Sequence, residues 1–323
     1  MLRLAVVLLL LANAGANDAT ATVTFLRENG PPVVRSYPVK AGERVTVWTA
    51  TIPELQDSSF GIRIISTQPI AAESAMYFSG GSGRLFEGGH ESSGVTRGAR
   101  EWFFAEGATG PFFDTYLLVS NPNYSSVPVT FTYRTDKGQV VEKTLVAAPN
   151  SRLTVNVETQ DAALADTAVS TTVSAPLPIV AERAMYWPGG PGTWREAHNS
   201  FGLTETGERW AVADCREGGP EQFETYVLLV NPEPVAAHVL LTFARTGLAS
   251  PVQKSIVVPA NSRATVTIGS HAPEIIDPSG TTEFSVIART TNLTRIAVER
   301  ATYWDSGGQN WAGGSNVTAT RLR

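Results

Sequence analysis

Pro69-Ile70-Ala71-Ala72-Glu73-Ser74-Ala75-Met76-Tyr77-Phe78 returns as Pro178-Ile179-Val180-Ala181-Glu182-Arg183-Ala184-Met185-Tyr186-Trp187 and again as Ile296-Ala297-Val298-Glu299-Arg300-Ala301-Thr302-Tyr303-Trp304. Other landmarks keep the same step: His90 to His198 and Arg44 to Arg152 are 108 residues apart, and Arg152 to Arg263 is 111. Solenoid units are shorter, about 20–50 residues, so each copy is expected to own a hydrophobic core. The 323-residue chain therefore divides into copies at 1–98, 99–207 and 208–323. The junctions fall just before Glu101-Trp102 and Glu208-Arg209-Trp210, where Thr96-Arg97-Gly98 and Glu205-Thr206-Gly207 interrupt the strand pattern.

Within the second copy, Phe113 to Ser120 and Val127 to Thr135 are runs of β-branched and aromatic residues, ended by Asn121-Pro122 and Asp136-Lys137-Gly138. Val129, Phe131 and Tyr133 alternate with Thr130, Thr132 and Arg134, which predicts a half-buried strand. Asn29-Gly30 in the first copy is a strong hairpin turn. Helical periodicity with caps is missing throughout; Val157 to Asp166 and Pro273 to Asp277 reach at most a short helical turn. Short strands with turn signals every 8–12 residues or so point to an all-β chain: three tandem antiparallel β-sandwich, Ig-like domains, with the completeness of the first left open.

Composition narrows the function. Hydrophobic residues make up 42% and charged residues 17%. The net charge is −5 and no basic stripe appears, which argues against nucleic acid as a partner. One cysteine, Cys215, excludes an internal disulfide framework and reads as a small buried hydrophobe. The N-terminus carries two readings. Met1-Leu2-Arg3, the apolar run Leu4 to Ala12 and Ala14-Gly15-Ala16 have the form of a secretory signal peptide over residues 1–16, too short for an integral membrane span. Yet Leu10 to Ala14 lies 108 residues before Leu118 to Pro122, so the same residues fit a core strand of the first copy. On the strand reading, which the offset favours, Met1 is an internal or miscalled start and the chain is a fragment of a longer array.

Glu73, Glu182 and Glu299 occupy the middle of the repeated strand, and Arg44, Arg152 and Arg263 open another. Strand alternation puts Glu182 on one face with Val180, Ala184 and Tyr186, so partial burial and a compensating partner are expected. These six residues are assigned a structural role, as an Arg–Glu or Glu–backbone lock inside each copy, with the glutamates superposing and mostly buried. A second carboxylate at catalytic spacing is not visible. His90 and His198 precede serines, without the strained turn of a nucleophilic serine, so no catalytic residue is assigned. Histidine and cysteine spacing give no zinc site, Asp277-Pro278-Ser279-Gly280 reads as a turn before it reads as a calcium loop, and the glycine loops lack nucleotide-binding spacing. No cofactor is implied. The glycine-rich stretches Ser79 to Gly89, Pro188 to Gly192 and Ser306 to Gly308 are flanked by aromatics. Phe86, Trp187, Trp194, Trp304 and Trp311 form the one candidate ligand surface, a stacking platform for a sugar ring, against the plainer role of plugging the sandwich rim.

F-x-T-Y-L-L-V-S-N-P (Phe113 to Pro122), A-P-N-S-R (Ala148 to Arg152) and P-I-V-A-E-R-A-M-Y-W (Pro178 to Trp187) resemble an uncharacterised family of bacterial extracellular repeat domains, found in tandem on secreted or surface proteins. The resemblance covers nearly the whole chain and implies secretion and a β-sandwich fold, with no assigned activity. The first copy departs from it: Ser74 replaces the arginine, and a W-F-F-A-E-G segment is missing. The expected function is a non-catalytic spacer, surface-assembly or adhesion module, fibre formation included. Its expected partner is itself, through strand addition, or a cell-surface polysaccharide or protein. The alternatives are a carbohydrate-binding module and an accessory region of a larger secreted enzyme.

Overall fold

The computed structural model describes residues 6–79, 86–190 and 193–323. The chain is all-β, in antiparallel sheets. Strands β1 (Val6–Ala12), β2 (Ala19–Arg27), β3 (Val33–Val39), β4 (Arg44–Trp48), β5 (Phe60–Ser66), β6 (Ala71–Phe78) and β7 (Gly88–Ser93) form two sheets, ordered β4-β1-β6-β7 and β3-β2-β5. Next come β8 (Ala99–Phe104), β9 (Asp114–Asn121), β10 (Val127–Thr135), β11 (Val140–Ala147), β12 (Ser151–Asn156), β13 (Val169–Trp187) and β14 (Glu196–Phe201). The last group is β15 (Arg209–Gly218), β16 (Glu224–Asn231), β17 (Ala237–Ala244), β18 (Val252–Val258), β19 (Ser262–Thr267), β20 (Thr281–Thr290), β21 (Ala297–Ser306), β22 (Gln309–Thr318) and β23 (Thr320–Arg321).

One strand order recurs. The path β4-β1-β6-β7 is repeated by β12-β9-β13-β14 and by β19-β16-β21-β22. The register agrees residue by residue: Leu10 faces Glu73, Leu118 faces Glu182 and Leu228 faces Glu299. A second path, β3-β2-β5, matches β11-β10-β13 and β18-β17-β20. Behind these pairings lie separate hydrophobic cores, around Leu11, Val23 and Phe25, around Val119, Phe131 and Val173, and around Leu229, Leu241 and Phe243.

Alternation explains the strands. Val129, Phe131 and Tyr133 are fully buried while the threonines between them are partly exposed, as the two-residue period requires. β1 sits at the centre of its sheet with Leu9 and Leu11 in the first core, so Val6–Ala12 is built as the strand that its offset from Leu118 predicts; Met1 to Ala5 lie outside the described residues. β8 and β15 add a strand beside β13 and β20; among the described residues no strand borders β5 on that side. Trp102 on β8 and Trp210 on β15 donate their ring N–H to the carbonyls of Ile179 and Ile296, pinning that added strand. No helix among the described residues is long and apolar enough to cross a membrane.

Asn121, read in sequence only as a turn marker, and its counterparts Asn13 and Asn231 close each core. Asn121 is fully buried; its amide donates to the carbonyls of Ala147 and Ala148, and its oxygen accepts from the Asn123 N–H. Asn231 repeats this with Val258, Pro259 and Glu233, and Asn13 with Val39 and Gly15. Removing such a side chain leaves buried backbone groups unpaired, so Asn121→Ala is expected to cost about 1–3 kcal/mol in chemical denaturation. An unchanged midpoint would show that the anchor is dispensable.

Candidate functional site

The strands that carry the repeated glutamates turn one face to their own core and the other outward. Leu117 and Val119 lie in the second core, so Leu118, Ser120 and Glu182 point away from it. Each later sheet packs that outward face, with Glu182 or Glu299 on it, against the end of the preceding core, where Arg183 shares the core-side face of Leu117.

At the seam between the second and third cores, Arg183 of β13 is 1% exposed and bridges two carboxylates. Its Nη2 lies 2.7 Å from Glu106 Oε2 and its Nη1 lies 2.7 Å from Glu299 Oε2, with those side chains 4% and 0% exposed. Arg183 also donates to the Glu106 carbonyl and to Ser200 Oγ, both at 2.9 Å. The Glu106 backbone N–H donates to Glu299 Oε2 at 2.9 Å, and the Tyr303 hydroxyl donates to Glu106 Oε1 at 2.9 Å. Asn316 Nδ2 donates to Glu106 Oε2, and His198 Nε2 stands 3.2 Å from the Tyr303 oxygen.

Two carboxylates and one guanidinium do not balance. Arg263, 7% exposed, stands near them without an ion pair among the described residues; burial pulls it down to about 10 while Asp136 and Glu106 pull it back up. Burial pushes Glu106 up, but His198 and Arg183 outweigh it and hold the carboxyl at about 2. For Glu299 burial wins: its carboxyl is raised despite Arg183, and its Oε1 meets no donor among the described residues. Around these charges packs an apolar layer of Phe103, Trp187, Leu228, Val230, Ala297 and Tyr303. Trp187 donates its ring N–H to the Trp311 carbonyl at 2.7 Å. A Cβ on Gly314 would stand 2.7 Å from the Trp187 ring, so this approach requires glycine.

The seam between the first and second cores follows the same plan with different chemistry. Ser74 takes the register position of Arg183, opposite Leu9 as Arg183 is opposite Leu117. Glu182 accepts instead from Ser92 Oγ at 3.3 Å and from Asn199 Nδ2. Arg152 Nη1 donates to the Phe60 carbonyl at 2.9 Å, and Glu28 accepts from the Thr154 backbone and hydroxyl. Tyr186 packs against Phe78 and His90, and burial lowers His90 to about 4.

The glutamates superpose in register, but the expected burial and the lock inside each copy need correction. Glu299 is buried; its arginine is Arg183 from the preceding core, and not Arg263 of its own. Glu182 is half-buried, with Arg152 attracting it at longer range. Glu73 and Arg44 are exposed, and Arg44 donates only to Thr46 Oγ1. The reason is geometric: the outward face needs a neighbour to bury it, and β4-β1-β6-β7 has none among the described residues. The aromatics also form no sugar platform in a row. Trp187 is 1% exposed, Trp311 stacks on Tyr303 at 4.9 Å, Trp194 stacks on Tyr186 at 4.5 Å, and Trp304 packs against Phe223. Phe86 alone of the five is largely exposed, at 53%, edge-on to Tyr77. Residues 80–85 and 191–192 of the glycine stretches lie outside the described residues. Sequence reading missed Glu106 and Arg183, although both stand within quoted motifs, W-F-F-A-E-G and A-E-R-A.

No protein-family profile and no curated protein matches the chain. Among solved structures it is similar to the protein in the crystal structure of Thermotoga maritima 1070, with 17% identity over 33% of this chain and 96% of that one, at a TM-score of 0.31. A likeness at that level carries no argument.

Removing one member of a buried ion group costs more than replacing the whole group. Arg183→Met is expected to destabilise by about 3–5 kcal/mol, and adding Glu106→Leu and Glu299→Leu is expected to recover part of the loss in thermal melts. Equal stability of wild type and Arg183→Met would remove the network from its place at the seam.

Acid separates the two seams. Glu106 is held below its ordinary 4.5, so its stabilisation is complete above that value and is lost as pH falls toward about 2. Glu182 is raised, by burial against Arg152, Asn199 and Ser92, so its contribution is greatest in acid and is lost as pH rises through its raised value. Denaturation curves from pH 7 to pH 3 are therefore expected to show a shallower acid loss for Glu106→Gln than for wild type and a steeper one for Glu182→Gln. Parallel curves for all three proteins would contradict both assignments.

Proposed function

We propose that the chain is a non-catalytic scaffold of three tandem Ig-like β-sandwich domains, at 1–98, 99–207 and 208–323, that holds its ends at a fixed separation as a spacer on a bacterial surface. The observation behind this reading is the Glu106–Arg183–Glu299 network. The most chemically endowed residues of the chain are spent on joining one sandwich to the next, and they are closed to solvent. A buried salt bridge is a weak source of stability but an effective source of geometric specificity, since a wrong orientation strands a charge. Secretion is proposed on the motif resemblance alone.

Small-angle scattering tests the reading. The wild-type profile is expected to fit one conformation, and Arg183→Met is expected to broaden the distribution of interatomic distances. A wild-type profile that needs an ensemble of domain orientations would overturn the spacer role.

A second reading, carbohydrate binding, is supported by a cleft of about 260 Å³ at the solvent edge of the same seam, lined by Phe112, Trp311, Arg195, Glu196, Gln309 and Asn310. Burial raises Glu196 to about 7. Aromatic rings beside amide and charged groups suit a sugar's apolar face and hydroxyls. Retention on polysaccharide columns, lost in Trp311→Ala, would favour this reading over the spacer.

A further inference from the structure

We propose that the outer face of β4-β1-β6-β7 is a docking surface for the third sandwich of a second copy of this chain, so that copies join head to tail through a repetition of the internal seam. The proposal rests on the scaffold reading and extends it to the partner.

The face has the chemistry of one that is already docked. In the third sandwich Leu228, Val230, Ala297, Glu299 and Tyr303 are buried against the second, with Arg263 beside them. The first sandwich has Leu10, Ala12, Ala71, Glu73, Tyr77 and Arg44 at the same register positions. Arg44 stands opposite Ala12 as Arg263 stands opposite Val230, and Glu73 opposite Leu10 as Glu299 opposite Leu228. Glu73, Arg44 and Ala71 are exposed, Leu10, Ala12 and Tyr77 are half-buried, Trp48 on the same sheet is 51% exposed, and Glu73 has no ion pair among the described residues. An acidic and a basic side chain on an apolar sheet face, matched to an interface formed elsewhere in the molecule, is continuity with that interface in chemistry and in register.

The complementary end lies in the same chain. Arg300 occupies the register position of Arg183, opposite Val227 as Arg183 is opposite Leu117. Its Nη2 lies 3.1 Å from Asp214 Oδ2, and its Nη1 donates to Ser315 Oγ at 2.7 Å, as Arg183 does to Glu106 and Ser200. Asp214 follows Trp210 by four residues, as Glu106 follows Trp102. The Asp214 side chain is 71% exposed, and no second carboxylate reaches Arg300 among the described residues. Glu73 of a second copy would join Asp214 on Arg300 as Glu299 joins Glu106 on Arg183. Because the two surfaces differ, the contact is heterologous and can add copies without closing.

Sedimentation velocity of the full chain over a range of concentration at low salt tests this. Wild type is expected to associate as concentration rises and to dissociate in high salt. Glu73→Arg and Arg300→Glu are each expected to abolish association. In a mixture of the two, the intact surfaces form one junction and the two exchanged charges form the next, so the mixture, like the double variant, is expected to regain open-ended association. Glu73→Arg does not touch the third sandwich, so its effect survives any folding defect in Arg300→Glu. A monomer at every concentration overturns the proposal. Association abolished by Glu73→Arg but untouched by Arg300→Glu also overturns it, pointing to a different occupant of the face. The scaffold reading fails on its own measurement, the scattering of the monomer, so the two failures are distinguishable.

Discussion

Arg183 is the constraint on which the relation between the second and third cores depends. A guanidinium with 1% exposure is tolerable only if carboxylates reach it, and here one comes from each side of the seam. Glu106 and Glu299 are 193 residues apart, yet the amide of one donates to the carboxylate of the other. Any rotation of one core against the other would separate Arg183 from Glu299 inside a buried apolar layer of Trp187, Tyr303 and Leu228. The close approach at Gly314 and the hydrogen bond from Trp187 to the Trp311 carbonyl follow from the same placement.

Comparison of the two seams shows what the arginine adds. With Ser74 in its place, Ser74 Oγ lies 3.4 Å from Ser92 Oγ, and Ser92 donates to Glu182. Holding the first seam then falls to neutral donors, to the longer-range attraction of Arg152, and to contacts at its margin, between Glu28 and Thr154 and between Arg152 and Phe60. Hydrogen bonds to a charged group are individually favourable, but they lack the directional penalty of two opposed full charges. The first seam is accordingly the more permissive of the two.

The recurrent strand, its register and the core-facing alternation of Val129, Phe131 and Tyr133 were legible because they follow from a two-residue period and a fixed offset. The strand role of Val6–Ala12 was legible from its offset to Leu118 for the same reason. Alternation also put Glu182 and Glu299 on the correct face. It could not say what covers that face, and so the partner of Glu299 was sought on Arg263 within one unit when it stands on Arg183 in the preceding one. Spacing along a chain carries no information about which unit supplies a contact. Glu106 was passed over because a single carboxylate in an aromatic segment has no distinguishing pattern until the fold brings Tyr303, His198 and Asn316 to it.

β13 has a mechanical consequence. It runs as one strand from Val169 to Trp187, pairing with β10 and β8 over its first part and with β9 and β14 over its last, the ladder shifting register between Ser174 and Ile179, whereas the corresponding stretches elsewhere are split into β5 and β6 and into β20 and β21. Its ladder hydrogen bonds lie across the strand direction. Tension applied along it therefore loads many of those bonds in parallel, as shear, and does not open them one after another from an end. Since the strand finishes at Trp187, inside the seam, a pull on the third core is delivered directly to the strand that pairs with both β10 and β9.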